Sequence, residues 1–262
     1  MLKLRVISAI VGVPILLLSA WLGGPILFSL VTVLMLVALY EMHRMLLKLN
    51  TRPNIVLFFI GGLIIILGAL LYKGHMWFLV IPVLILLHFS PMVFAGFVYS
   101  FNDGKLSVLA SVYVGLFMYV YLVGILPGGW QWLLLLLLTT WANDTFAYFA
   151  GTRLGRHKLA PVISPNKTIE GSIGGVLGGL LIGLLWGLYF GMLELHVSVI
   201  LAVFLAVAGQ AGDLVESAIK RAAGIKDAGN IIPGHGGILD RFDSLLLAAP
   251  LLYYYLVLFV IK

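Results

Sequence analysis

Long apolar runs separated by short polar connections dominate the chain from end to end. A helix needs roughly 20 apolar residues to cross bilayer hydrocarbon, and nine stretches approach that length: 5–21, 25–46, 55–72, 77–97, 107–126, 131–151, 171–192, 196–219 and 244–261. The pattern predicts an all-α, polytopic integral membrane protein of about nine transmembrane helices. The first run opens MLKLR, as a signal peptide would, but its apolar stretch is long and no small-x-small cleavage site follows, so it reads as a retained helix. Nine crossings place the two termini on opposite sides.

Alternate connections should carry the basic residues if these spans are real. Lys3 and Arg5, then Arg44, Lys48 and Arg52, then Lys105, then Arg153, Arg156, Lys158 and Lys167, then Lys220, Arg221, Lys226 and Arg241 all fall on one side, fourteen of the sixteen Lys and Arg. Only Lys73 and Lys262 remain for the other. The asymmetry predicts that the N-terminus and the charged C-terminal cluster are cytoplasmic, and a bacterial inner membrane is the expected location of this multi-pass protein.

Composition agrees: 62% of the 262 residues are hydrophobic and 10% charged, with a mean hydropathy of +1.14, far outside the soluble range. There is no cysteine, which excludes disulfides, thiol redox chemistry and thiolate metal sites and leaves oxygen or imidazole as metal ligands. The net charge of +6 does not indicate nucleic acid, because the cations sit in short connections rather than along one face.

Eight of the ten acids follow residue 140. Residues 1–126 therefore read as N-terminal scaffold helices, with Glu41 and His43 as exceptions, and residues 127–262 as the catalytic region. Within it, Gly171, Gly175, Gly179, Gly183, Gly187 and Gly191 recur every four residues, joined by Gly174 and Gly178. Positions four apart advance about 40° beyond a full turn, so this small-residue groove winds around its helix and accepts a neighbour at close backbone distance. Tight helix packing is the structural reading, a bound lipid chain the functional one, and a homodimer is compatible with either.

In the eighth span Asp213, Glu216, Ser217 and Lys220 share one helical face. Charges at membrane depth cost on the order of 3 kcal/mol each and face a partner, a metal or a water-filled cavity. An internal salt bridge to Lys220 or Arg221 is one reading. A second arises downstream, where Asp240 and Asp243 lie three apart around Arg241 and with Asp213 offer three hard carboxylates suited to Mg²⁺, whose remaining ligands are waters and substrate phosphates. Lys220, Arg221, Lys226 and Arg241 would grip further phosphate oxygens. The turn Pro233-Gly234-His235-Gly236-Gly237 offers backbone N–H groups to an anion, although a Gly-rich turn before a helix is commonplace. Ser164 and Lys167, in SPNKTIEG, precede the glycine-striped helix and make a natural anion site at its N-terminus, while Thr168 as a cap and Glu170 near the positive helix end need no substrate. Asn143 and Asp144 lie among aromatics in the sixth span, and Asp144 is expected to face the same cavity.

The segment S-x-x-K-R-x-x-x-x-K-D followed by P-x-H-G-G-x-x-D-R-x-D, here Ser217, Lys220, Arg221, Lys226, Asp227, Pro233, His235, Gly236, Gly237, Asp240, Arg241 and Asp243, resembles the signature of the phosphatidate cytidylyltransferases, also called CDP-diacylglycerol synthases. The stretch from Asp144 through Tyr148 and Gly151, and SPNKTIEG, also resemble this family, with Asn166 where many relatives carry Lys. The resemblance covers residues 140–250 and implies Mg²⁺-dependent transfer of the cytidylyl group of CTP to phosphatidic acid, giving CDP-diacylglycerol and pyrophosphate. It implies that Asp213, Asp240 and Asp243, with Asp144, hold metal in a centre able to take a second cation. It further implies that Lys220, Arg221, Lys226, Asp227, His235 and Arg241 are catalytic, and that Asn143, Ser164, Lys167, Glu170, Glu216, Ser217, Gly236 and Gly237 bind substrate. A polar cavity facing the cytoplasm and open sideways to lipid is expected, because one substrate is soluble and the other lives in the bilayer. Two alternatives remain: a CTP-dependent polyprenol or dolichol kinase, which the long P-x-H-G-G-x-x-D-R-x-D match opposes, and an ion-coupled transporter with intramembrane Asp144 and Asp213. A CDP-alcohol phosphotransferase is excluded by the absence of D-G-x-x-A-R.

Overall fold

The computed structural model describes residues 2–94, 98–232 and 234–261. Pro233, Lys262, the end of the fourth expected span and the side chains of Lys3 and Arg5 lie outside the described residues. The helices are α1 (Leu2–Leu22), α2 (Gly24–Lys48), α3 (Ile55–Tyr72), α4 (Trp77–Phe94), α5 (Phe101–Gly115), α6 (Met118–Gly124), α7 (Gly129–Leu154), α8 (Ile169–Phe190), α9 (Leu195–Ala222) and α10 (Leu239–Tyr255). One antiparallel hairpin, β1 (Lys158–Ala160) and β2 (Ser164–Thr168), interrupts them between α7 and α8.

Among the described residues eight helical segments are long and apolar enough to cross a membrane, one of them running Phe101–Gly124 through α5 and α6, and Val6–Leu22 of α1 adds a shorter apolar helix. The protein is thus an all-α polytopic membrane protein, and many of its large apolar side chains, such as Leu86, Phe94 and Tyr189, are exposed outward, as a lipid solvent allows. The segment boundaries follow local chemistry. Asn54 accepts from the Val56 and Leu57 N–H groups to start α3, and Ser100 and Asp103 form a reciprocal capping box at α5. Thr168 accepts from Gly171 N–H to start α8, while Gly191 ends it in a left-handed conformation.

The chain forms two compact units, Met1–Leu122 with Lys220–Phe242, and Val123–Ile219 with Asp243–Lys262. Helices α9 and α10 each contribute residues to both. In the first unit the core is built from Met35, Leu39, Phe58, Ile65, Val114 and Phe117, all buried. Polar contacts also join its helices: Trp77 Nε1 donates to Tyr119 OH at 2.9 Å, and His88 Nε2 bonds Ser111 Oγ at 2.8 Å.

In the second unit the glycine stripe decides the packing. A Cβ at Gly174 would stand 2.4 Å from Ala150 Cβ, and one at Gly178 2.9 Å from the Ala142 carbonyl, so this part of α8 lies on α7. Farther along, Gly179 and Gly183 lie 2.7 Å from Ala206 and Ala202 Cβ by the same measure, so the stripe has turned to α9. The rotation from one neighbour to the other is the drift expected of a four-residue repeat on a 3.6-residue helix. The structural reading of the stripe therefore holds, and those glycines are occupied by helices of the same chain.

Candidate active site

The second unit contains a cavity of about 640 Å³. Helix α7 presents Asn143 and Asp144, the hairpin presents Lys158, Ser164 and Lys167, and α9 presents Asp213. Five residues expected from the sequence, namely Asn143, Asp144, Ser164, Lys167 and Asp213, thus line one pocket. Its central contact is an ion pair: Lys167 Nζ stands 2.5 Å from Asp213 Oδ2, with both side chains roughly 30% exposed. Asp213 Oδ1 also accepts from Ser217 Oγ one turn on, at 3.3 Å. A lysine and an aspartate that pair in an open cavity give an incoming phosphate and its counter-cation one site each.

Behind this pair runs a polar chain with one direction. Ser172 Oγ donates to Gln210 Oε1, Gln210 Nε2 donates to Asn143 Oδ1 at 2.7 Å and to the Ser172 carbonyl at 2.9 Å, and Asn143 Nδ2 donates to Asp144 Oδ1 at 3.2 Å. Each amide is oriented by its neighbour, and the chain ends by donating to the Asp144 carboxylate. Gln210 and Ser172 escaped the sequence reading. The signal was present, since Gln210 is a lone amide in an apolar run one helical turn before Asp213. The hairpin escaped too, for Pro165 and the polar SPNKT read as a helix entrance. Glu170 holds the approach to the hairpin, accepting from Arg156 N–H at 3.0 Å and pairing with His157 Nδ1 at 2.6 Å. Glu216 is fully buried in α9, and Asp243 Oδ1 accepts from the Ser244 N–H at 2.7 Å.

In the first unit the signature segment is organised around Asp240. Lys220 Nζ donates to Asp240 Oδ1 at 2.6 Å, while Ala228 N–H and Gly237 N–H donate to Oδ2 at 2.9 and 2.8 Å. The carboxylate is almost wholly buried, so these bonds tie α9's end, the connection and the start of α10 together. Gly236 adopts φ +84°, and a Cβ there would lie 2.7 Å from Asp240 Oδ2, which explains a glycine at that position. Arg241 Nε donates to the His235 carbonyl at 2.7 Å, His235 Nδ1 bonds Ser8 Oγ of α1 at 2.6 Å, and Arg221 Nη1 donates to the Ile225 carbonyl at 3.1 Å. Lys226 and Asp227 are exposed. Glu41 of α2 accepts from Ile238 N–H and Leu239 N–H, both at 3.0 Å.

A model described as the cytidylyltransferase family matches residues 3–259. The chain belongs to that family. Relatives named phosphatidate cytidylyltransferase include one from Staphylococcus haemolyticus, 40% identical over 258 residues that cover 95% of this chain and 97% of the relative. One from Staphylococcus aureus is 40% identical over 259 residues, and one from Staphylococcus epidermidis 38% over 261, with the same coverage. These likenesses run through nearly the whole length of this cytidylyltransferase.

Proposed function

We propose that the protein transfers the cytidylyl group of CTP to phosphatidic acid, giving CDP-diacylglycerol and pyrophosphate for phospholipid biosynthesis. The observation that carries this reading is the polar pocket of the second unit, with Lys167 on Asp213 beside Asn143 and Asp144, in a chain of this family. An oxygen of the lipid phosphate attacks the α-phosphorus of CTP, the bond to the β-phosphate oxygen breaks, and pyrophosphate leaves with its electron pair. The attacking oxygen is already anionic near neutral pH, so the protein's task is to bring two anions together and balance charge on the departing pyrophosphate. Lys167 and Lys158 hold phosphate in the pocket, with Ser164 donating. The signature cations Lys220, Arg221, Lys226 and Arg241 answer to phosphate as well. Neither a polyprenol kinase nor a transporter is favoured by relatives that share 95% of the chain and the name phosphatidate cytidylyltransferase.

The donor set fits Mg²⁺. Asp213 already balances an ammonium in the cavity, and among the described residues no three His, Asp or Glu side chains stand together as a ready-made cage. That suits an ion held by one or two carboxylates and completed by substrate phosphates. Two of the second unit's carboxylates Asp213, Asp144 and Asp243 would hold it, and when bound it would neutralise charge on the phosphates. We place the protein in a bacterial inner membrane, with the N-terminus and the pocket facing the cytoplasm, where CTP is available.

The test is product formation by the purified, detergent-solubilised chain from labelled CTP and phosphatidic acid, with and without Mg²⁺, beside Asp213→Asn and Asp243→Asn. Metal-dependent CDP-diacylglycerol that falls by more than about 100-fold in both variants is expected. Phosphate transfer from CTP to a polyprenol, without product from phosphatidate, would overturn the assignment.

A further inference from the structure

Glu41 is 1% exposed and lies far in sequence from every residue that carries charge in the signature. Its two carboxylate oxygens each accept one backbone N–H, Oε1 from Ile238 and Oε2 from Leu239, both at 3.0 Å. Leu239 is the first residue of α10 and Ile238 precedes it, so these are N–H groups that the helix itself leaves without acceptors. A carboxylate there also meets the positive end of the helix dipole.

Two glycines make the seat. A Cβ at Gly229 would stand 2.5 Å from Glu41 Oε1, and one at Gly237 2.5 Å from Oε1 and 2.7 Å from Oε2. Any side chain at either position displaces the carboxylate, so glycine at 237 has a steric reason independent of phosphate. Glu41 thereby meets the connection between α9 and α10 near its middle, at Gly229, and near its far end, at Gly237. Asp240 works from the opposite direction, binding Ala228 N–H and Gly237 N–H.

We infer that Glu41 is a positioning residue for the transfer reaction: from α2 it caps α10 and sets the backbone that aims Asp240 and Arg241. The inference rests on the reading of residues 217–243 as part of the reacting machinery. Both acceptor oxygens and the side-chain length are needed. Glutamine offers one acceptor where two N–H groups converge and turns an N–H₂ toward one of them, whereas aspartate keeps both acceptors but falls one methylene short.

Full-length Glu41→Gln and Glu41→Asp, purified in detergent, decide it with two readouts. In steady-state assays Glu41→Gln is expected to lower kcat at least 10-fold, of the order for a lost charge-assisted contact, with KM for CTP and for phosphatidate within about threefold. Glu41→Asp should retain more turnover than Glu41→Gln. In hydrogen exchange, the amides of residues 236–242 in Glu41→Gln should exchange at least 10-fold faster than in the wild type, while those of α3 keep their protection. Wild-type turnover in Glu41→Gln to within twofold, unchanged exchange at 236–242, or faster exchange through α3 by the same factor would each overturn the inference. A wild type that makes no CDP-diacylglycerol would instead remove the functional reading, and the exchange result would still report whether Glu41 holds the turn.

Discussion

Single side chains in this protein are governed by the cost of leaving a polar group without a partner in an apolar surround. Gln210 shows this most directly, since its amide both receives from Ser172 and donates to Asn143, and Asn143 is 2% exposed. Replacing Gln210 by Leu keeps most of the volume and removes the donor that Asn143 Oδ1 needs. The expected cost is about 1–3 kcal/mol, read as a lower melting temperature in detergent, with weaker turnover because Asn143 and Asp144 lose their orientation. Wild-type melting in Gln210→Leu would show that the chain of amides stabilises nothing. The ion pair of Lys167 and Asp213 differs, being open to solvent and worth little as structure. The role proposed for it is chemical, and the sequence showed both residues as charges, Asp213 within an apolar run and Lys167 just before the next one. Gln210 and Ser172 were quieter, as neutral residues whose role depends on what faces them.

At the scale of elements, α8 carries the clearest sequence-to-structure link. Its glycines let α7 and then α9 approach, and one methyl group is enough to test this. Gly183→Ala places a Cβ 2.7 Å from Ala202 Cβ and 2.8 Å from the Ser198 carbonyl, so the helices must separate at about 1–3 kcal/mol. Gly12→Ala in α1 meets nothing within 4 Å and should be neutral or stabilising by up to about 1 kcal/mol through helix propensity. Thermal unfolding of both variants gives the comparison, and equal melting temperatures would refute the packing argument. The β1–β2 hairpin marks the limit of pattern reading. Its strands are three and five residues long, too short to show alternation, and they are held by pairing and by Glu170 rather than by propensity.

For the whole molecule, the proposed orientation across the bilayer rests on charge. The chain has no cysteine, so single introduced cysteines report sidedness without background. Arg52→Cys and Arg156→Cys, both exposed, should react with an impermeant maleimide only in inside-out vesicles, and His75→Cys only in right-side-out ones. Labelling of all three from the same side would break the alternation on which the orientation rests. The two compact units were less legible. Residues 220–242 follow the second unit in sequence yet pack with the first, because Glu41 and Ser8 supply the partners for Ile238, Leu239 and His235. Hydropathy has no term for such a contact.

The sequence by itself determined the membrane-spanning helical class and displayed the charged residues that line the pocket. Each of these is set by transfer free energies and charge, which are properties of a residue and its near neighbours along the chain. Only the tertiary structure decided which partners those residues meet: that Lys167 stands on Asp213, that Asp240 clamps a loop, and that an acid in the second helix caps the last. Contacts such as that between Glu41 and Leu239, 198 residues apart, depend on where packed helices bring backbone donors, and a carboxylate carries no mark in sequence of the N–H groups it will find.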